Sequence, residues 1–190
     1  MDERPVAAGP WLRHSRRVAY ENAWITIWHD EVTRPDGTPG VYGIVHFANL
    51  AVGVLAIDAD DRVLLVGQHR YALDEYSWEI PEGGVPDGEN ALEGARRELR
   101  EETGVDASEW VELGRSHLSN SVSDELAILY LATGLTTGVA TPDGTEALDV
   151  RWVPFDEVLT MTLDGRITDA LTVLAIQRVA LDRVARRGRP

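Results

Sequence analysis

Two spacings of apolar residues organise this chain. Short runs rich in Val, Ile and aromatic residues have the length and composition of β-strands at Val18 to Arg34, Val41 to Phe47, Ala51 to Ile57, Val63 to Gly67, Glu125 to Ala132 and Val150 to Val153. The first two are separated by PDGTPG and the next two by DADD, connections made of turn residues. From Asn90 to Thr103 the period changes. Leu92, Ala95 and Leu99 recur at helical spacing, no proline intervenes, and Gly104 stands where a left-handed cap belongs. Pro154 opens a short helix through FDEVLTM, and a last helix from about Thr168 carries Leu171, Leu174, Ala175 and Val179 on one face. Residues 1 to 15 and ARRGRP at 185 to 190 mix proline, glycine and charge and read as loose ends. Strands bracketing two or three helices predict an α/β sandwich, preceded by a small β subdomain.

Composition narrows the function classes. With 190 residues, 44% of them hydrophobic, the chain can bury one substantial core with a small appendage. The absence of cysteine excludes disulfides, thiolate metal sites and cysteine nucleophiles. A formal charge of −14 disfavours binding along nucleic-acid backbones, which requires a basic face. No apolar run approaches the roughly 20 residues that span a bilayer, and MDERPVAAGP has no signal-peptide core, so a soluble, cytoplasmic protein without membrane contacts is expected.

The chemistry concentrates in GGVPDGENALEGARRELREETGV, residues 83 to 105. Gly83, Gly84, Pro86, Asp87 and Gly88 predict a turn-rich loop before the helix. On that helix Glu98, Glu101 and Glu102 stand at i, i+3 and i+4, so their carboxylates share one stripe beside the apolar one. Three acids so placed repel one another unless a positive charge neutralises them, and clustered carboxylate oxygens are what Mg²⁺ or Mn²⁺ prefers. Arg97 can pair with Glu93 or fix a neighbouring carboxylate. Glu89, off that face, either favours the positive helix end or folds toward the metals.

The spacing of glycines, acids and arginine in this segment matches every fixed position of the Nudix box, which marks metal-dependent diphosphate hydrolysis. Beyond the box, residues 17 to 180 resemble the ADP-ribose pyrophosphatase branch of that superfamily. The resemblance implies the Nudix α/β/α sandwich with a mixed sheet over residues 49–190. It also implies an N-terminal antiparallel β subdomain over residues 1–48, serving dimerisation and base binding. ENAWITIWHDEVTRPDG followed by VYGIVH is similar to the branch's subdomain, which exchanges between two subunits, so a domain-swapped homodimer is implied. By the same resemblance, Trp24 and Tyr42 match the aromatic residues that sandwich the base, one from each subunit; strand packing is the alternative for both and for Trp28.

In QHRY and SWEIPEGG the resemblance assigns Arg70 to the diphosphate or ribose, and Glu79 to the substrate or to bracing Arg70. Glu82 stands where the branch usually has alanine, at the residue whose backbone carbonyl binds metal. Ser123 and Glu125 match recurring substrate-side positions in SNSVSDE. Glu146, in TPDGTEALDVRWVP, fits the base that activates water, with Asp143 as the alternative. The implied reaction places Mg²⁺ on Glu98, Glu102, Glu101 and the Glu82 carbonyl and converts ADP-ribose to AMP and ribose 5-phosphate. UDP-glucose or a GDP-sugar would use the same chemistry. A nucleoside-triphosphate pyrophosphohydrolase and a non-catalytic ADP-ribose sensor are the further alternatives.

Overall fold

Residues 5–140 and 148–188 are described in the computed structural model. The chain divides into two units, Met1–Asn49 with His117–Leu126, and Leu50–Ser116 with Ala127–Pro190.

The first unit is a four-stranded antiparallel sheet of β1 (Val6–Ala8), β2 (Trp11–Glu21), β3 (Ile25–Thr33) and β4 (Pro39–Phe47), in that order. The apolar run read from Val18 to Arg34 is two strands. Asn22 breaks it, its Oδ1 accepting from the backbone N–H groups of Trp24 at 2.8 Å and Ile25 at 2.9 Å, a side-chain substitute for a backbone turn. Residues 6–15 are not loose either: Gly9 turns β1 into β2 with φ of 60°. Arginines of β2 lie on the sheet surface. Arg16 bonds Asp30 through two nitrogens, each at 2.7 Å, and its guanidinium lies 4.0 Å from the Trp28 ring centre. Residues 119–124 are fastened to β4: the Val45 N–H donates to the Val122 carbonyl at 2.8 Å, and the Phe47 N–H to Asp124 Oδ1 at 3.1 Å.

The second unit holds β5 (Leu50–Ala56), β6 (Arg62–Arg70), β7 (Glu75–Glu79), β8 (Glu82–Val85), α1 (Ala91–Thr103), β9 (Val105–His117), β10 (Leu126–Thr137), β11 (Asp149–Pro154), α2 (Phe155–Leu163) and α3 (Ala170–Arg187). One sheet has the order β8-β5-β10-β9 and is mixed, because β5 runs parallel to β10 and antiparallel to β8. The other is β11-β6-β7, both pairs antiparallel. Alternation along β5 sends Val52, Val54 and Ala56 into one core with Ala95 and Leu99 of α1. Gly53 faces the other side, toward Leu171 of α3. The mixed sheet therefore lies between α1 and α3, as the α/β/α expectation requires. Leu99 is fully buried, so truncating it to alanine costs about 2–5 kcal/mol.

Asn90 caps α1 by accepting from the Leu92 N–H, and Gly104 closes it in the left-handed region with φ of 69°. Three details differ from the sequence reading. Glu82–Val85 is a strand paired with β5, not part of a loop. Helix α3 continues through Arg187, into the segment read as a tail. Leu174 is 40% exposed, and Thr172 and Ile176 fill the buried face of α3 in its place. Among the described residues no helix is long and apolar enough to cross a membrane.

Candidate active site

Helix α1 and strand β8 bring the acids of residues 83 to 105 around Arg97. Its Nη1 donates to Glu98 at 2.7 Å and to Glu101 at 3.1 Å, and its Nη2 donates to the Gly84 carbonyl at 2.9 Å. Both Nε and Nη2 reach Glu89 at 3.4 Å. Burial works against the Arg97 charge, but the hydrogen bond to Glu89, the field of Glu98 and the hydrogen bonds to Glu101 and Glu98 outweigh it and hold its pKa above the ordinary value. The choice between partners is thus resolved: Arg96 takes Glu93 at 2.6 Å, and Arg97 takes the box acids and Glu89.

Glu102 lies deeper than a stripe beside the core would put it. It is 4% exposed, and its Oε2 accepts from the Glu82 N–H at 3.3 Å. Glu98 lies so close to β8 that a Cβ at Gly83 would overlap its carboxyl group. Gly83 is therefore needed for close approach rather than for a turn. Carboxylate oxygens held against a strand, with a single guanidinium for several acids, are a donor set that fits Mg²⁺ or Mn²⁺.

A second gathering of acids surrounds Arg70, at the end of β6. Arg70 Nε bonds the two Glu79 oxygens at 2.9 and 3.0 Å, and Nη2 bonds Glu79 as well. The same Nη2 donates to Glu82 Oε1 at 2.6 Å. Glu79 is only 2% exposed. Asp169 caps α3, its Oδ2 accepting from the Thr172 N–H and hydroxyl, both at 2.7 Å, while the Ile80 N–H donates to that hydroxyl oxygen at 2.9 Å. Carboxylate oxygens of Glu79, Glu82 and Asp169 all lie within 4.8 Å of one another. Burial raises Glu82 well above the carboxylate range, and Asp169 and Glu79 push it further. Burial likewise raises Asp169, against the hydrogen bonds from Thr172. The Arg70 pKa rises chiefly through its hydrogen bond to Glu79.

The direction of the Glu82 side chain, which the sequence left open, is therefore toward Arg70. Asp169 is the residue that sequence reasoning missed. An Asp before a helix signals a cap, and nothing local to it announces that β7 and β8 bring two glutamates alongside.

The remaining candidates belong to the other unit or fall elsewhere. Trp24 is 71% exposed at the β2–β3 turn. Tyr42 donates its hydroxyl to the Ser121 carbonyl at 2.6 Å and meets Trp11 edge to face at 5.2 Å. Trp28 stacks on His46 at 4.4 Å and lies under Arg16, so it is engaged in the sheet surface. Ser123 bonds the Ser119 carbonyl at 3.2 Å, and burial raises the Glu125 carboxyl. Glu146 and Asp143 lie outside the described residues.

Residues 48–173 match the NUDIX domain, and residues 11–45 match the nucleoside diphosphate sugar hydrolase N-terminal domain. The chain belongs to the Nudix family and is a Nudix hydrolase of the ADP-ribose pyrophosphatase-like, nucleoside diphosphate sugar type. It is 32% identical over 170 residues to an ADP-ribose pyrophosphatase of Mycobacterium tuberculosis, covering 87% of this chain and 81% of that protein. It is 28% identical over 169 residues to a CMP-5'-(N-acetyl-N-hydroxy-3-aminopropyl)phosphonate hydrolase of Streptomyces rubellomurinus, covering 89% and 82%. The fold matches a crystal structure of an ADP compounds hydrolase with a TM-score of 0.82 at 21% identity, covering 98% of this chain and 97% of the other.

Proposed function

We propose that this hydrolase splits the diphosphate of ADP-ribose into AMP and ribose 5-phosphate. The observation that carries the proposal is the set of box carboxylates drawn against β8 and fixed by Arg97, in a chain with a nucleoside diphosphate sugar hydrolase N-terminal domain. Glu98, Glu102 and Glu101, with the backbone carbonyl of Glu82, would hold Mg²⁺ or Mn²⁺. The ion supplies charge neutralisation on the diphosphate and makes water a better nucleophile.

The chain's own groups do the rest. Arg97 keeps Glu98 and Glu101 oriented despite their mutual repulsion. Glu146 takes the proton from the attacking water, or Asp143 does so in its place. As the new bond to one phosphorus forms, the P–O bond to the other phosphate breaks, and Arg70 offers its unused donors to the departing charge. In this reading Ser123 and Glu125 are further substrate contacts.

The base is held between Trp24 and Tyr42 of two different subunits, in a domain-swapped homodimer. In support, Tyr42 pairs with Asp30 of β3, whereas Trp24 lies before the start of that strand, six residues away in sequence. That is about 20 Å in a strand, too far for one copy to close on one base. In this reading residues 1–48 bind the base and the partner, and residues 49–190 carry out the hydrolysis. Light scattering of the eluted protein tests the dimer: a monomer that retains full activity would remove the shared base site.

The relative that hydrolyses a CMP-linked phosphonate supports a second reading, in which another nucleoside is joined to the diphosphate. The base pocket alone separates the two, and a substrate panel with UDP-glucose, GDP-mannose and a CMP-linked phosphonate decides between them.

A further inference from the structure

Arg70 is more completely occupied than a phosphate-binding arginine needs to be. Its Nε–H and one Nη2–H go to Glu79, and the other Nη2–H goes to Glu82. Among the described residues, Nη1 is the nitrogen left without a partner. A guanidinium grips a phosphate best through two parallel N–H groups from adjacent nitrogens. Glu79 covers the Nε–Nη2 edge, and Glu82 obstructs the Nη1–Nη2 edge.

Glu82 is not required to hold Arg70 in place, because Glu79, itself buried, already bonds both Nε and Nη2. Its own position is also costly. Glu82 Oε2 is buried with no hydrogen-bond partner, and a buried acceptor left unpaired is a recognised penalty. A residue that makes a redundant bond at a local cost is poorly explained by stability alone.

We infer that Glu82 is a positioning residue that limits Arg70 to a one-nitrogen contact through Nη1 and so weakens the grip on the substrate diphosphate. This rests on the reading of Arg70 as a diphosphate contact. The consequence is specificity through restraint. With a full two-nitrogen clamp, any compound bearing a diphosphate would bind tightly whatever flanks it. With a single Nη1 contact, the flanking nucleoside and sugar must contribute the remaining affinity, which favours a substrate extended on both sides over a bare terminal phosphate.

The test compares wild type, Glu82→Ala and Glu82→Gln. Alanine frees Nη2, while the glutamine amide oxygen still accepts from it, more weakly. Binding of inorganic pyrophosphate with Mg²⁺ is measured by calorimetry, and kcat and KM are measured for ADP-ribose and for ADP. Glu82→Ala is expected to bind pyrophosphate about 10- to 100-fold more tightly, as one added charge-assisted hydrogen bond implies, and Glu82→Gln about 2- to 3-fold. KM should fall in the same order, more for ADP than for ADP-ribose. A merely structural role would instead lower kcat or the melting temperature and leave the pyrophosphate affinities unordered. Equal or weaker pyrophosphate binding by Glu82→Ala overturns the inference, and so does a Glu82→Gln protein no tighter than wild type. If the pyrophosphate order holds but no variant cleaves ADP-ribose, the substrate reading fails and the role of Glu82 stands.

Discussion

Arg97 and Arg70 both collect carboxylates, but from different elements. Arg97 reaches across a partly exposed helix face to Glu89, Glu98 and Glu101, and also anchors on the Gly84 carbonyl. Arg70 stands against the buried Glu79 and the largely buried Glu82, with Asp169 near both acids. In the first cluster the acids outnumber the cation, and a divalent ion would complete the neutralisation. In the second, burial is the largest influence on both Glu82 and Asp169, and it raises both. In the proposed reading one cluster handles a metal and the other presents a restrained guanidinium, although the two arginines are similarly exposed, at 35% and 37%.

Breaking the first cluster has the largest expected effect. Glu98→Gln and Glu102→Gln should each lower turnover by about 10²- to 10⁴-fold while far-UV circular dichroism stays unchanged. Wild-type turnover in both would sink the metal assignment. Breaking the second should show first in stability. Arg70→Ala strands the buried Glu79, and denaturant unfolding should register a loss of about 3 kcal/mol, the low end for an orphaned buried charge because the Arg70 side chain is 37% exposed. A loss under about 1 kcal/mol would mean that Glu79 is satisfied without Arg70.

Gly83→Ala sharpens the comparison, because the three atoms nearest the added Cβ all belong to the Glu98 carboxyl. Activity should drop at least about 10-fold, with a raised Mg²⁺ requirement, while the melting temperature changes little. Unaltered Mg²⁺ dependence would show that Glu98 need not lie against β8.

The smallest effect concerns neither cluster. Burial raises the Asp124 carboxyl, but the hydrogen bonds from His46 and the Phe47 amide outweigh it and hold the pKa below the ordinary range. A lowered folded value contributes stability above the unfolded pKa, and this is lost as pH falls through the folded one. Asp124→Asn should therefore cost about 0.5 kcal/mol in urea unfolding at neutral pH, discounted for solvent exposure, and nothing once the carboxyl is protonated. A cost that persists in acid would assign the effect to packing.

How much of this was legible depended on where the determining contacts lie. Helix α1, with its caps and acid stripe, is specified locally by Asn90, Gly104 and three glutamates at helical spacing, and it was read almost to the residue. Strand β8 was not, because two glycines look like a turn until Glu98 arrives from α1 to occupy the space. Strand β9 went unread, since VDASEWVELGRSH alternates too irregularly to declare a pairing made with β10. Arg70 and Glu79 were found by resemblance, with bracing already among the roles considered for Glu79. Asp169 was not found, because its proximity to Glu79 and Glu82 exists only after α3 packs behind β5.

The central claim is that the box acids hydrolyse the diphosphate of a nucleoside diphosphate sugar. It is tested most directly by incubating the enzyme and Mg²⁺ with ADP-ribose, UDP-glucose, GDP-mannose, a CMP-linked phosphonate and 8-oxo-dGTP, with products identified by mass. The account predicts AMP and ribose 5-phosphate from ADP-ribose, abolished by chelation and by Glu98→Gln. Cleavage of the triphosphate alone would contradict it.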